Sequence, residues 1–172
     1  RYAGYDAALW QGFYRDAGLT VEIRPGAAPG KPAIDPMREV VDGRAAFGVG
    51  GTRVLIHAAQ GLPLVMLAPV FQHSGVQIYS RAGRDFVTPA TLAGGKVGRL
   101  PASDTADLEL ATALRGAGVD SAKLQPVEIA PGQVAAALVA GTVDAAPGSA
   151  WDVPFQAREH GVTLDSFDPG DY

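Results

Sequence analysis

Cysteine is absent from all 172 residues. That excludes disulfides, thiolate metal sites, iron–sulfur clusters and cysteine nucleophiles. It leaves the compartment open, since many exported proteins also lack cysteine. Charge is sparse, at 19% Asp, Glu, Lys and Arg with a net charge of −4 and no block of one sign. No basic face is therefore expected for nucleic acid. Long apolar runs are missing too. The longest, Leu62 to Phe71, is interrupted by Pro63 and Pro69 and falls well short of the roughly 18–20 residues of a membrane span. No signal-peptide pattern is visible. Histidine is limited to His57, His73 and His160. None has a second histidine or carboxylate at ligand spacing, so no metal site is expected.

What is present describes a globular chain: 47% apolar residues, with 22 glycines and 13 prolines. The length suits one ordinary domain or two small lobes, and the many glycines and prolines point to short elements joined by tight turns. Ala3 to Asp16 reads as a helix capped by Gly18, and Leu19 to Ile23 alternates like a strand. Residues 25 to 36 form a Gly/Pro/Ala-rich loop. Met37 to Asp42 is a short helix stopped by Gly43, Ala46 to Val49 a small strand, and Thr52 to Gln60 a helix stopped by Gly61. Leu64 to Phe71 and Val76 to Tyr79 read as strands.

After the charged loop from Arg81 to Asp85 comes a helical turn over Pro89 to Ala93. The order then starts again. Strands are expected at Lys96 to Arg99, Leu124 to Ile129, Val143 to Ala146 and Val162 to Phe167. Helices are expected at Ser103 to Gly116, Gly132 to Ala140 and Pro154 to His160. Strands alternating with helices specify an α/β architecture of parallel type. Residues 40 to 52 and 138 to 150 share one plan: a helix end, a glycine stop, a small-residue strand and a Gly-containing turn with a hydroxyl (Thr52, Ser149). A weaker echo links Gly18 to Ile23 with Gly118 to Ile129. Two such halves suggest two lobes facing a cleft.

The run Tyr2-Ala3-Gly4-Tyr5-Asp6-Ala7-Ala8, continuing through Gly12-Phe13-Tyr14-Arg15-Asp16-Ala17-Gly18-Leu19-Thr20-Val21-Glu22-Ile23, resembles the opening of the SsuA/THI5-like (NMT1-type) substrate-binding proteins. So do Gly43 to Val49, Gly61 to Val65, Phe71-Gln72-His73-Ser74 and the closing Asp168 to Tyr172. The resemblance covers essentially the whole chain. It implies a type II periplasmic-binding-protein fold, two-lobed like a Venus flytrap. A strand before the first helix and further chain after Tyr172 are usual in the family, so the chain reads as trimmed at both ends. Lobe I is expected over 1–86, lobe II over 87–160, and a return crossing to lobe I over 161–172.

The residues expected to touch a ligand follow the turns after strands, where open α/β sheets place their ligands. Tyr5 and Asp6 open the first helix, offering a stacking face and a helix start. An ordinary core tyrosine and a dipole-favouring aspartate would look the same. Gly50-Gly51-Thr52 lets a ligand approach backbone and supplies a hydroxyl, without the spacing of a phosphate loop. Gln72, His73 and Ser74 follow a strongly apolar segment. Ser103, Asp104 and Thr105 start a helix and could hold a polar group or serve as a plain N-cap. Ser149 and Trp151 follow a small-residue strand, and Trp151, in a turn, is a better aromatic wall than Trp10 within a helix.

The resemblance implies capture of a small molecule for an ABC transporter permease, at the periplasmic or extracellular face of a bacterial membrane, by a protein expected to be monomeric and cofactor-free. A ligand-sensing receptor domain is the alternative. A related pyrimidine synthase would need a lysine, a histidine and a cysteine-rich segment, whereas Gly50 to Arg53 stands at the matching strand end and the lysines are Lys31, Lys96 and Lys123. Nor is there a Gly-x-Ser-x-Gly nucleophile element, so catalysis is not expected. Phe71 to Ser74, Tyr5 and Trp151 favour a flat heterocycle, first a thiamine-pyrimidine precursor and second riboflavin or a relative. An anion such as nitrate or a sulfonate would draw on Arg53 and Arg99.

Overall fold

A computed structural model describes residues 3–26, 34–100, 104–130 and 132–172. The chain divides into two compact units, one of Arg1–Gly50 with Val54–Leu64, the other of Gly51–Arg53 with Val65–Tyr172.

The first unit is helical. The expected first helix is broken into α1 (Ala3–Trp10) and α2 (Phe13–Asp16). Gly12 causes the break, with φ +80°. That backbone conformation favours glycine and cannot continue a helix. Gly18, at φ +75°, ends the segment: its N–H donates to Arg15 O and the Leu19 N–H to Tyr14 O. The paired bonds make a Schellman-type stop. α3 (Pro36–Val41) starts on Asp35, whose carboxylate accepts from the Met37 N–H at 3.0 Å. Glu39 on α3 meets Arg24 at 3.4 Å and Arg44 at 2.8 Å. α4 (Arg53–Ala59) begins in the second unit and carries the partly buried His57, 3.6 Å from Asp35.

The second unit holds a five-stranded sheet: β1 (Val76–Arg81), β2 (Lys96–Arg99), β3 (Gln125–Glu128), β4 (Ala145–Ser149) and β5 (Leu164–Phe167). Their order is β3-β2-β4-β1-β5, with β2 parallel to β3 and β4, and β1 antiparallel to β4 and β5. α5 (Asp104–Gly116) links β2 to β3 and α6 (Val134–Ala140) links β3 to β4, the crossovers that parallel neighbours require. α7 (Val153–Glu159) links β4 to β5. Alternation sends Ile78 and Ala145 to one face with Leu110, Leu114 and Phe167, and Tyr79 and Ala146 to the other with Val134, Leu138 and Val153. Asp144 fixes the register at one end. It accepts from the Lys96 N–H through its carboxylate and donates to Lys96 O through its backbone N–H, both at 2.8 Å.

Three expected strands differ. Residues 19–23, 46–49 and 64–71 carry no ladder assignment. Alternation fixes which face a side chain takes, but a ladder needs a partner edge, and none of the described residues supplies one. Phe47, Val65 and Leu67 accordingly stand 76%, 83% and 74% exposed. β1 pairs across its length with β4 and β5.

Candidate ligand-binding site

Because β1 and β4 are antiparallel, the start of one lies beside the end of the other, with Val76 opposite Ser149. Just past the ladder, the Ala150 N–H donates to Gly75 O at 2.8 Å, and the Trp151 N–H donates to Ser149 Oγ at 3.3 Å. These bonds lay the Trp151 indole across Gly75. A Cβ at Gly75 would fall 1.7 Å from Trp151 Cη2 and 2.0 Å from Cζ3, so the ring occupies the space that glycine leaves open. Phe71 packs on the same indole with ring centroids 5.2 Å apart and planes inclined by 45°. That separation lies in the favourable range for aromatic pairs. Phe71 and Trp151 are still 42% and 49% exposed, leaving aromatic surface to offer.

The residue before Gly75 leads to a polar cluster. Ser74 Oγ donates to Glu109 on α5, lying 2.7 Å from Oε2 and 2.9 Å from Oε1, and accepts from the Val76 N–H at 3.1 Å. The Thr52 side chain also acts on Glu109, favouring its ionised form. Burial pushes the Glu109 carboxyl above its ordinary value and nearby Asp168 adds to the rise, while the Ser74 and Thr52 side chains oppose it. Gly51 brings its backbone against α5, where an added Cβ would sit 3.0 Å from Thr105 Oγ1. Gly51, Thr52, Ser74 and Trp151 thus converge with Thr105 and Glu109 within the second unit.

The expected site residues divide accordingly. Thr52, Ser74, Thr105, Ser149 and Trp151 gather there, with Gly51. Gln72 and His73 lie exposed on the bend between Phe71 and Ser74. Tyr5 and Asp6 lie on α1 in the first unit, and Gly50, in the same unit, packs on the Met37 sulfur. Asp104 is the first residue of α5, and Ser103 lies outside the described residues. Glu109 and Gly75 were missed. Glu109 follows Thr105 by four residues and so shares its helix face, a signal available once the helix was placed. Gly75 carried no signal until a partner ring lay on it. Arg99, considered for an anion, is engaged by Asp107, with Nη2 2.7 Å from Oδ2. The second oxygen of Asp107 accepts from the Leu100 N–H at 3.1 Å, which ties the end of β2 to α5.

Comparison with known proteins places this geometry in context. The family model described as NMT1/THI5 like matches residues 1–172. The formylaminopyrimidine-binding protein of Halalkalibacterium halodurans is 26% identical over 167 residues, covering 96% of this chain and 49% of that protein. The periplasmic aliphatic sulphonate binding protein SsuA from Escherichia coli superposes with TM-score 0.68 at 22% identity, over 95% of this chain and 53% of its own. An ancestral arginine-binding protein bound to arginine gives TM-score 0.57 at 19% identity, over 95% of this chain and 69% of its own. The chain therefore spans about half the length of the formylaminopyrimidine-binding and sulphonate-binding relatives (49% and 53%). The mixed sheet, with one antiparallel strand among parallel ones, is that of type II periplasmic binding proteins. The match along its full length establishes that the chain belongs to the NMT1/THI5-like family.

Proposed function

We propose that this chain supplies ligand-holding parts of an extracytoplasmic solute-binding protein that captures a flat nitrogen heterocycle, of the thiamine-pyrimidine-precursor class, for an ABC transporter permease. The observation that carries the reading is the half-exposed Phe71–Trp151 ring pair beside the hydroxyl–carboxylate cluster of Ser74, Thr52 and Glu109. Such a wall stacks a planar ring, while a few convergent polar groups fix its orientation. The formylaminopyrimidine-binding relative favours the same ligand class. Tyr5, Asp6, Gly50, Gln72, His73, Ser103 and Asp104 belong to the proposal as further ligand contacts. Ligand capture works here by stabilising one conformation of a mobile protein, with no bond made or broken.

A thermal-shift panel of formylaminopyrimidine, riboflavin, taurine and nitrate tests it. At about 100 times Kd a true ligand adds roughly 2.7 kcal/mol of stability. That amounts to about 5–11 °C for a chain of this length. A shift with the pyrimidine supports the reading. A shift with taurine or nitrate alone overturns the ligand class, and silence across the panel overturns uptake as the function.

A further inference from the structure

A hydroxyl has only one proton to give, and Ser74 gives its own to the Glu109 carboxylate. Ser74 Oγ lies within hydrogen-bond distance of both carboxylate oxygens, at 2.7 and 2.9 Å, and its own oxygen already accepts from the Val76 N–H. The Thr52 hydroxyl also acts on Glu109 in the sense that favours the ionised carboxylate. A hydroxyl whose proton is committed faces a ligand only through its lone pairs, and an ionised carboxylate only accepts. Asp168 adds a further negative charge that acts on Glu109. Three side chains thus present acceptors beside the aromatic wall.

We propose that Glu109, a residue to which no role has been assigned, is the specificity determinant of this site: with Ser74 and Thr52 it forms an acceptor cluster that selects ring N–H or amino donors and rejects sulfonates and other acceptor-only anions. The inference rests on the ligand class proposed above and adds the residue that reads it. A sulfonate brought to this cluster meets oxygen with oxygen and like charge with like. An amino group on a heterocycle stacked at Trp151 donates into it, and a hydrogen bond to a charged acceptor is among the stronger kinds. Sulfonate-binding relatives share the fold, so the discrimination resides in side chains such as this one and not in the architecture.

The test pairs a ligand change with a protein change. Calorimetry on the wild-type protein compares 4-amino-2-methylpyrimidine with 2,4-dimethylpyrimidine, which keeps the ring and lacks the N–H, and with methanesulfonate. The cluster predicts at least about tenfold preference for the amino compound, the scale of one charge-assisted hydrogen bond. In Glu109→Gln that preference collapses to a few-fold, and methanesulfonate binding does not fall. Equal wild-type affinity for the two pyrimidines overturns the Glu109 assignment and leaves the heterocycle reading standing. An undiminished preference in Glu109→Gln does the same. Failure of both pyrimidines to bind wild-type overturns the heterocycle reading and this inference with it. The wild-type comparison does not depend on the variant folding.

Discussion

Gly75→Ala perturbs the aromatic wall without touching a polar group. The new methyl carbon would lie 1.7, 2.0 and 2.7 Å from three atoms of the Trp151 indole. Carbon contacts relax at about 3.5–4.0 Å, so the ring must retreat by about 2 Å. Its partner Phe71 stands at 5.2 Å between centroids, and a retreat of that size carries the pair to the outer limit of about 7 Å for favourable ring contacts. The pair interaction lost is roughly 0.5–1.5 kcal/mol. Because the sheet beneath is undisturbed, most of that loss falls on the site and little on global stability. Trp151 reports the change directly. The other tryptophan, Trp10, is 79% exposed, so a Trp10→Phe background leaves Trp151 as the single emitter. The expected result is a red-shifted, more readily quenched Trp151 emission and weaker pyrimidine binding, with Tm changed by only a few degrees. Unchanged emission together with unchanged affinity would refute the placement of Trp151 over Gly75 as the binding wall.

Further perturbations test the framework and the charge state. Gly98→Ala drives a methyl to 2.3 Å from Ile129 Cδ1 and 2.7 Å from Ala146 Cβ, so it overpacks the buried sheet by about 1–3 kcal/mol and lowers Tm by calorimetry. Ser80 is fully buried with its Oγ unpartnered among the described residues. Ser80→Ala is therefore expected to raise stability in urea unfolding by up to about 1 kcal/mol; a loss would show a hidden partner. The Glu109 carboxyl is raised by burial above its ordinary value, so the folded state holds this proton more tightly than the unfolded chain. Its contribution to stability is therefore present at low pH and is lost as pH rises from the unfolded value through the raised one. Glu109→Gln should flatten that part of the stability–pH profile and leave the protein no less stable at neutral pH, whereas a purely structural glutamate would destabilise when replaced.

Local chemistry made several elements of both units legible. β2 at Lys96–Arg99 lies where the sequence pattern places it, and α3, α4 and α7 come within one or two residues of expectation. Each is bounded by a signal acting over one turn, such as Asp35 at the start of α3 or Gly43 and Gly61, at φ +71° and +83°, just past the ends of α3 and α4. The break at Gly12 escaped because helical spacing on both sides masks a single left-handed glycine. Residues 46–49 escaped for another reason: they echo 145–149 in sequence, but only the second copy meets partner edges, β1 and β2. In the candidate site, Trp151 was legible as a turn residue after a small-residue strand, and Ser74 and Thr52 as hydroxyls closing apolar or small-residue runs. Gly75 was not, since it acquires meaning only when a residue 76 positions away arrives against it, and Glu109, though on the Thr105 face of its helix, is singled out only by Ser74, 35 positions away.

The central claim is that a planar, N–H-bearing ligand lies on Trp151. Titration of 4-amino-2-methylpyrimidine into the Trp10→Phe variant, with Trp151 emission followed alongside calorimetry, tests it most directly. Saturable quenching of Trp151 with the same Kd as the heat of binding is the predicted result. Heat of binding with no change in Trp151 emission would place the ligand elsewhere and contradict the account.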